Sequence, residues 1–402
     1  MAADVTTYDK AFKDTYGGIP TEELNQATPL WDRIKKKTQP MEGRQWIVAL
    51  HGRRNQQIGA QSLTGAALPT AANQAQEGYD QAAYKPTQLL GAITIEHALM
   101  ELSRSNEGSF VRGLRSEIEN MATNFAVDFD RQLFGDGTGA LTACGTTTAS
   151  TTVTVTSTGQ LDVGMGIDVL VASTGAVSTG AAGRYISSIT NSTSFVISGA
   201  AITTDSTFSV YRAGSKLLTA NYEINGLQNI VKATGALGGI DPATAGIEYW
   251  KAALVDSTST TAAEKVFQKA YEAPQEQQRG GGGRPKLLIG TFGARRTYMD
   301  GLVALKRFDT NQMRMIGGFE ALDFNGLPFY ADRLCPAKTV YFLDTDRLFF
   351  LQTRGPHWVD DDKAVLKWVS NTVGFKGIYA WIVNLATDAR NAHSVLTNIT
   401  ES

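Results

Sequence analysis

Seven apolar residues, Phe110, Leu114, Ile118, Met121, Phe125, Phe129 and Leu133, recur in steps of 4, 4, 3, 4, 4 and 4. That spacing keeps them on one face of a 3.6-residue helix and fits neither a strand nor a loop. Asn106 and Glu107 mark its expected start, since Asn caps a helix and an acid suits its first turn. Gly135 marks the expected stop. About 28 residues at 1.5 Å each give a helix of roughly 42 Å. It is net acidic: from Glu96 to Asp136 there are eight acids, including Glu107, Glu117, Glu119 and Asp128, against four arginines.

Upstream, residues 1–42 read as an extended arm punctuated by Pro20, Pro29 and Pro40. Trp31 and the basic run Arg33, Lys35, Lys36 and Lys37 sit in its middle. Such a run is either a solvated face or a patch for an acidic neighbour or nucleic acid. In residues 43–95, Gln45–Leu50 and Ala92–Ile95 read as strands. Between them, 20 of the 27 residues from 52 to 78 are Gly, Ala, Ser, Thr, Asn or Gln. A stretch so poor in apolar surface builds no core of its own. No acid occurs from Gly43 to Gln76, whereas Arg44, Arg53 and Arg54 do. The reading is a long, mildly cationic hairpin, with Trp46 at its opening as an anchor for a neighbour.

Past the helix the composition changes. Residues 141–215 hold 28 Ser/Thr and five charged residues. Short β-rich runs at 151–158, 166–172, 184–189, 194–198 and 207–211 predict an inserted all-β sandwich or barrel. Residues 216–402 return to a mixed α/β texture. Helices are expected at 247–255, 262–271 and 294–305, and strands at 286–289, 327–331, 339–343, 347–352 and 378–383. Arg279–Pro285 is expected to be a loop tip.

A net charge of −2 excludes a globally basic nucleic-acid binder. Charged residues make up 19% and hydrophobic ones 42%, which argues against disorder. Cys144 and Cys335 are too few for a disulfide scaffold. The first residues lack the apolar core of a signal peptide, and no run of 18 apolar residues occurs. The expectation is a protein made in the cytoplasm, with no membrane span. No HExxH or GxSxG pattern is present, and the histidines and cysteines are scattered, so no enzyme, cofactor or metal is expected. Asp360, Asp361 and Asp362 lack EF-hand spacing and read as a solvated turn. Gly135 to Ala140 matches G-x-G-x-x-A, but a helix precedes it and a β segment follows, the reverse of a dinucleotide site. Gly135, Gly137 and Gly139 are instead expected to make a tight turn using positive φ.

The order is extended arm, polar hairpin, long helix, Gly135-Asp136-Gly137-Thr138-Gly139 turn, then mixed α/β. It resembles the major capsid proteins of tailed bacteriophages, the HK97-like fold. Glu223-Ile224-Asn225-Gly226-Leu227 resembles the segment that follows the turn in that family, and Phe324-Asn325-Gly326-Leu327-Pro328 with Leu343-Asp344 resembles its A-domain. The resemblance covers most of the chain apart from 141–215.

It implies an α+β subunit: N-arm 1–42, E-loop and flanking P-domain strands 43–95, spine helix and turn 96–140, inserted β domain 141–215, and A-domain with the rest of the P-domain 216–402. It further implies pentamers and hexamers closing an icosahedral or prolate head around double-stranded DNA, with a portal and a separate scaffolding protein. Such a particle is a virion capsid assembled in the host cytoplasm. The family's type member cross-links an E-loop lysine to an asparagine of a neighbour. Here no lysine lies between Lys37 and Lys85, so a non-covalent shell is expected. The competing readings are an encapsulin-like nanocompartment and a β-rich adhesin.

Overall fold

The structure is a computed structural model and describes residues 30–31, 33–41, 43–53, 77–98, 113–178, 182–258, 264–277, 283–304, 313–314, 320–359, 366–369 and 373–401. The chain divides into two compact units. The smaller draws on 89–128 and 356–381, and the larger on 28–88, 129–355 and 382–402.

The first elements in chain order are β1 (Lys35–Thr38), β2 (Trp46–Arg53), β3 (Gly78–Tyr84), β4 (Thr87–Glu96) and helix α1 (Gly113–Leu133). At 21 residues α1 is about 32 Å long. Its expected start at Asn106 lies outside the described residues. In the smaller unit, the first half of the strand Gly374–Thr387 pairs with His357–Trp358 and with Leu366–Trp368. Phe125 of α1 lies on this layer, set edge-on to Tyr379 at 5.1 Å. Gly91 on β4 makes room for the helix, because a Cβ there would come within 2.6 Å of the Met121 sulfur.

In the larger unit the end of α1 is buried through Phe129, Leu133 and Phe134. Among the described residues a seven-stranded mixed sheet runs in the order Ala253–Asp256, Ser394–Thr397, Val340–Leu343, Leu287–Gly290, Leu327–Ala331, Glu320–Phe324, Met313–Arg314. Helices Glu264–Gln277 and Phe292–Ala304 cover it, and Phe267 meets Tyr298, Phe324, Phe329 and Phe342 at ring distances from 4.8 to 6.0 Å.

The helix expected at 247–255 does not form. Trp250 is buried, and its indole N–H donates to the Leu237 carbonyl at 3.1 Å. Ala253–Asp256 then runs as an edge strand parallel to Ser394–Thr397, with Ala253 and Val255 inward and Leu254 and Asp256 outward. A two-residue alternation on a sheet edge has overridden the local helical propensity.

Residues 140–212 form a six-stranded sheet and a two-stranded ladder, counted among the described residues. The core between them is mostly aliphatic, with one phenylalanine: Val153, Ile167, Val169, Ile186, Phe195, Ile197, Ile202 and Val210. The segment's first strand pairs with its last, Ala140 opposite Tyr211.

Candidate assembly surfaces and the joint beneath them

The turn after α1 is held as a joint. Arg131 forms a 2.5 Å ion pair with Glu223, and both side chains are almost fully buried. A buried pair with matched geometry is costly to break from one side, because the remaining charge is stranded away from water. The Ile224 N–H donates to the Gln132 side-chain oxygen. Gly226 packs so closely that a Cβ would sit 2.1 Å from the Gly135 carbonyl oxygen. Asp136 accepts from the Thr138 N–H at 2.9 Å and from its hydroxyl, closing the loop on itself. Gly137 and Gly139 take φ of +78° and +79°, whereas Gly135 does not enter the left-handed region. The positive φ expected of all three is thus carried by two. The two sequence segments 135–139 and 223–227, separated by the β-rich stretch, meet in space.

Further residues tie this joint down that the sequence did not single out. The Asn225 N–H donates to Asn384, whose amide donates to the Lys85 carbonyl at 2.6 Å. The buried Arg390 guanidinium donates to the carbonyls of Asn229, Ile230 and Gly235 at 2.8–2.9 Å. Burial pushes it down to about 10, so it keeps its charge at neutral pH. Only three-dimensional packing brings these residues together, and no local pattern announces them.

The β2–β3 hairpin rises from a fixed base. Trp46 faces Tyr84 across the ladder, and the Tyr84 hydroxyl donates to the Thr387 carbonyl at 2.8 Å. The Tyr249 hydroxyl donates to Asp80 at 2.5 Å. The Ala83 N–H donates to Gly238. Trp46, expected as an anchor on a neighbour, is instead 5% exposed within its own chain. It lies at the hairpin's base, where the ladder meets the core. Arg44, before the first strand, is exposed, and outward along the hairpin so are Ile47 at 57% and Tyr79 at 68%. Arg53 ends β2 opposite Gly78.

The basic run of the arm forms β1, which pairs in parallel with Leu348–Gln352. All four β1 residues are exposed, yet their side chains engage their own chain. Lys35 pairs with Asp346, as does Lys286. Lys36 lies over the Trp31 ring at 5.0 Å and Lys37 over Phe349 at 3.3 Å. Arg33 stacks on Tyr330 at 4.2 Å, and Trp31 meets Phe129 of α1 edge-on at 4.7 Å.

Of the spine acids, Asp128 is half-buried and engaged, and Glu117 and Glu119 lie within α1. Arg54, Glu107 and Asp360–Asp362 lie outside the described residues, as do 54–76 of the hairpin and 279–282 of the glycine-rich loop. Cys144 and Cys335 are both buried and unbridged, and burial pushes the Cys144 thiol up to about 12. Among the described residues no group of three His, Cys, Asp or Glu side chains is placed to hold a metal, and no helix is long and apolar enough to cross a membrane.

No family model matches the sequence, and no curated protein matches it. Solved structures do match its fold over the full length. The capsid asymmetric unit of cyanophage A-1(L) is 12% identical, with 99% of this chain and 100% of that one covered, at a TM-score of 0.58. The capsid of a native GTA particle is 9% identical over 99% of both chains, at 0.52. The holo-SrpI encapsulin complex of Synechococcus elongatus PCC 7942 is 9% identical over 99% and 96%, at 0.50. At such identities the likeness is one of fold: the chain has the HK97-like fold of capsid and encapsulin shell proteins.

Proposed function

We propose that the chain is a structural, non-enzymatic subunit of a closed shell, the major capsid protein of a tailed phage. The observation that carries this is end-to-end likeness of fold to the cyanophage capsid chain, with neither chain left over. Pentamers and hexamers would form the head around double-stranded DNA, with a portal and a separate scaffolding protein, in the host cytoplasm.

The buried joint at Arg131–Glu223 supports a fixed frame from which the hairpin reaches a neighbouring subunit. Arg44, Arg53 and Arg54 would meet the acids of that neighbour's spine segment, Glu107, Glu117, Glu119 and Asp128. Each exposed ion pair contributes about 0–1 kcal/mol, so charge sets register and partner choice more than affinity. The β1 lysines, already engaged with their own chain, would add only loose, non-specific phosphate contacts. Segment 141–215 would act as an inserted domain bridging subunits on the outer surface. The shell would be non-covalent, and denatured shells on a gel should show no covalent ladder.

Electron microscopy of the purified protein after overexpression, with light scattering, tests the reading. Closed shells tens of nanometres across are expected. A monodisperse monomer that stays monomeric with its scaffold supplied would refute it. The likeness to an encapsulin favours a second reading, a nanocompartment. Co-purifying nucleic acid supports the virus, and a co-purifying enzyme supports the compartment.

A further inference from the structure

Asp130, in the last turn of α1, is 1% exposed, and Asp332, directly after the strand Leu327–Ala331, is 4% exposed. The two carboxyl groups are hydrogen-bonded to each other. Asp332 is oriented from its own side: its N–H donates to the Gly290 carbonyl at 2.9 Å, and its Oδ1 accepts from the Leu334 N–H at 2.8 Å. One oxygen of each residue, Asp130 Oδ1 and Asp332 Oδ2, is buried with no hydrogen-bond partner.

The nearby cations do not neutralise the pair. Arg131, next along α1, is committed to Glu223. From the arm, Arg33 lies over the Tyr330 ring. Arg333 draws Asp332 down, but burial outweighs it. The buried Cys335 thiol is pushed up by burial, and by the charges of Asp332 and Glu401. Two carboxylates side by side in such a place cannot both ionise without moving apart.

We propose that Asp130 and Asp332 share one proton at neutral pH, and that this proton clamps the end of α1 to the end of the Leu327–Ala331 strand. Asp130 is the donor and the Asp332 carboxylate the acceptor. Burial first, then the Asp332 charge, then the hydrogen bond push Asp130 up to about 8. In the unfolded chain the same group loses its proton near 4. Its contribution to stability is therefore complete below about pH 4. It falls by up to tenfold in the folded-to-unfolded ratio per pH unit between about 4 and about 8. It falls no further above that, where both groups ionise inside the fold and repel. The clamp holds in acid and neutral solution and is released in mild alkali, and this holds whether or not the chain builds a shell.

Calorimetric unfolding of the full chain at pH 6.5, in two buffers of different ionisation enthalpy, counts the protons released. The wild type should release about one more proton than Asp130→Asn, and its Tm should fall more steeply between pH 5 and 8. Asp332→Asn removes the like charge, so its proton release should shift to lower pH. Equal proton counts and equal slopes in the wild type and Asp130→Asn would overturn the proposal. Should Asp130→Asn fail to fold, an unchanged release window in Asp332→Asn would overturn it instead.

Discussion

The β-rich segment 140–212 and the seven-stranded sheet of 253–397 both bury a sheet, by opposite means. The first pairs its strands antiparallel and wholly within one contiguous stretch, around a mostly aliphatic core with Phe195 in it. Its polar side chains serve its own backbone: Thr204 donates to the Gly145 carbonyl at 3.0 Å, and Thr158 to Asn191 at 3.0 Å. The second includes one pairing that closes most of the sheet's chain, Ala253 opposite Ser394, and two of its pairings are parallel, around an aromatic cluster centred on Phe267. Local pairing closes short loops and is entropically cheap, whereas distant pairing needs most of the chain in place first. The contiguous segment is therefore expected to melt apart from the rest of the fold.

The sharpest way to break this contrast is a pair of truncations in the two cores. Phe267→Ala and Phe195→Ala should each cost about 3–5 kcal/mol. The first should lower the main unfolding transition, and the second a separate transition of the β-rich segment. Scanning calorimetry in which both mutations shift one common transition would erase the distinction. Arg131→Ala should also cost about 3–5 kcal/mol, because Glu223 is left buried and unpaired. Denaturant titration should place that loss in the main transition.

Smaller changes sharpen the picture. Gly139→Ala should cost about 1–2 kcal/mol, since its φ of +79° disfavours a Cβ. That Cβ would also approach the Ser215 hydroxyl at 3.0 Å. Thr204→Val should cost about 1 kcal/mol through one lost hydrogen bond, seen as a lower midpoint for the segment's own melt.

Much of the fold was legible from periodicity. The 4-4-3-4-4-4 stripe foretold α1 and its end at Leu133, and short β-rich runs foretold Gly166–Val171, Arg184–Asn191 and Val340–Leu343. Trp46 and Ile247–Val255 were misread because burial by distant segments, not neighbours in sequence, decides their state. Trp46 shows an exposed-hairpin context in sequence, yet it pairs with a tyrosine anchored near residue 387. The glycine turn and the segment 223–227 were visible, but not the pairing of that segment with Arg131, its tie to Asn384, or the hold of Arg390 on the carbonyls just after it. Arg131, Glu223, Asn384 and Arg390 are ordinary polar residues until folding brings them together.

The pairing of Ala140 with Tyr211 has a practical side. Chain entry and exit lie about 5 Å apart, the spacing of opposed residues in an antiparallel ladder. This is the geometry of a socket: any domain whose two ends meet can be plugged in there without shifting the strands on either side. Replacing 140–212 by another domain with adjacent ends is expected to leave folding of the rest of the chain intact, as circular dichroism and calorimetry would show.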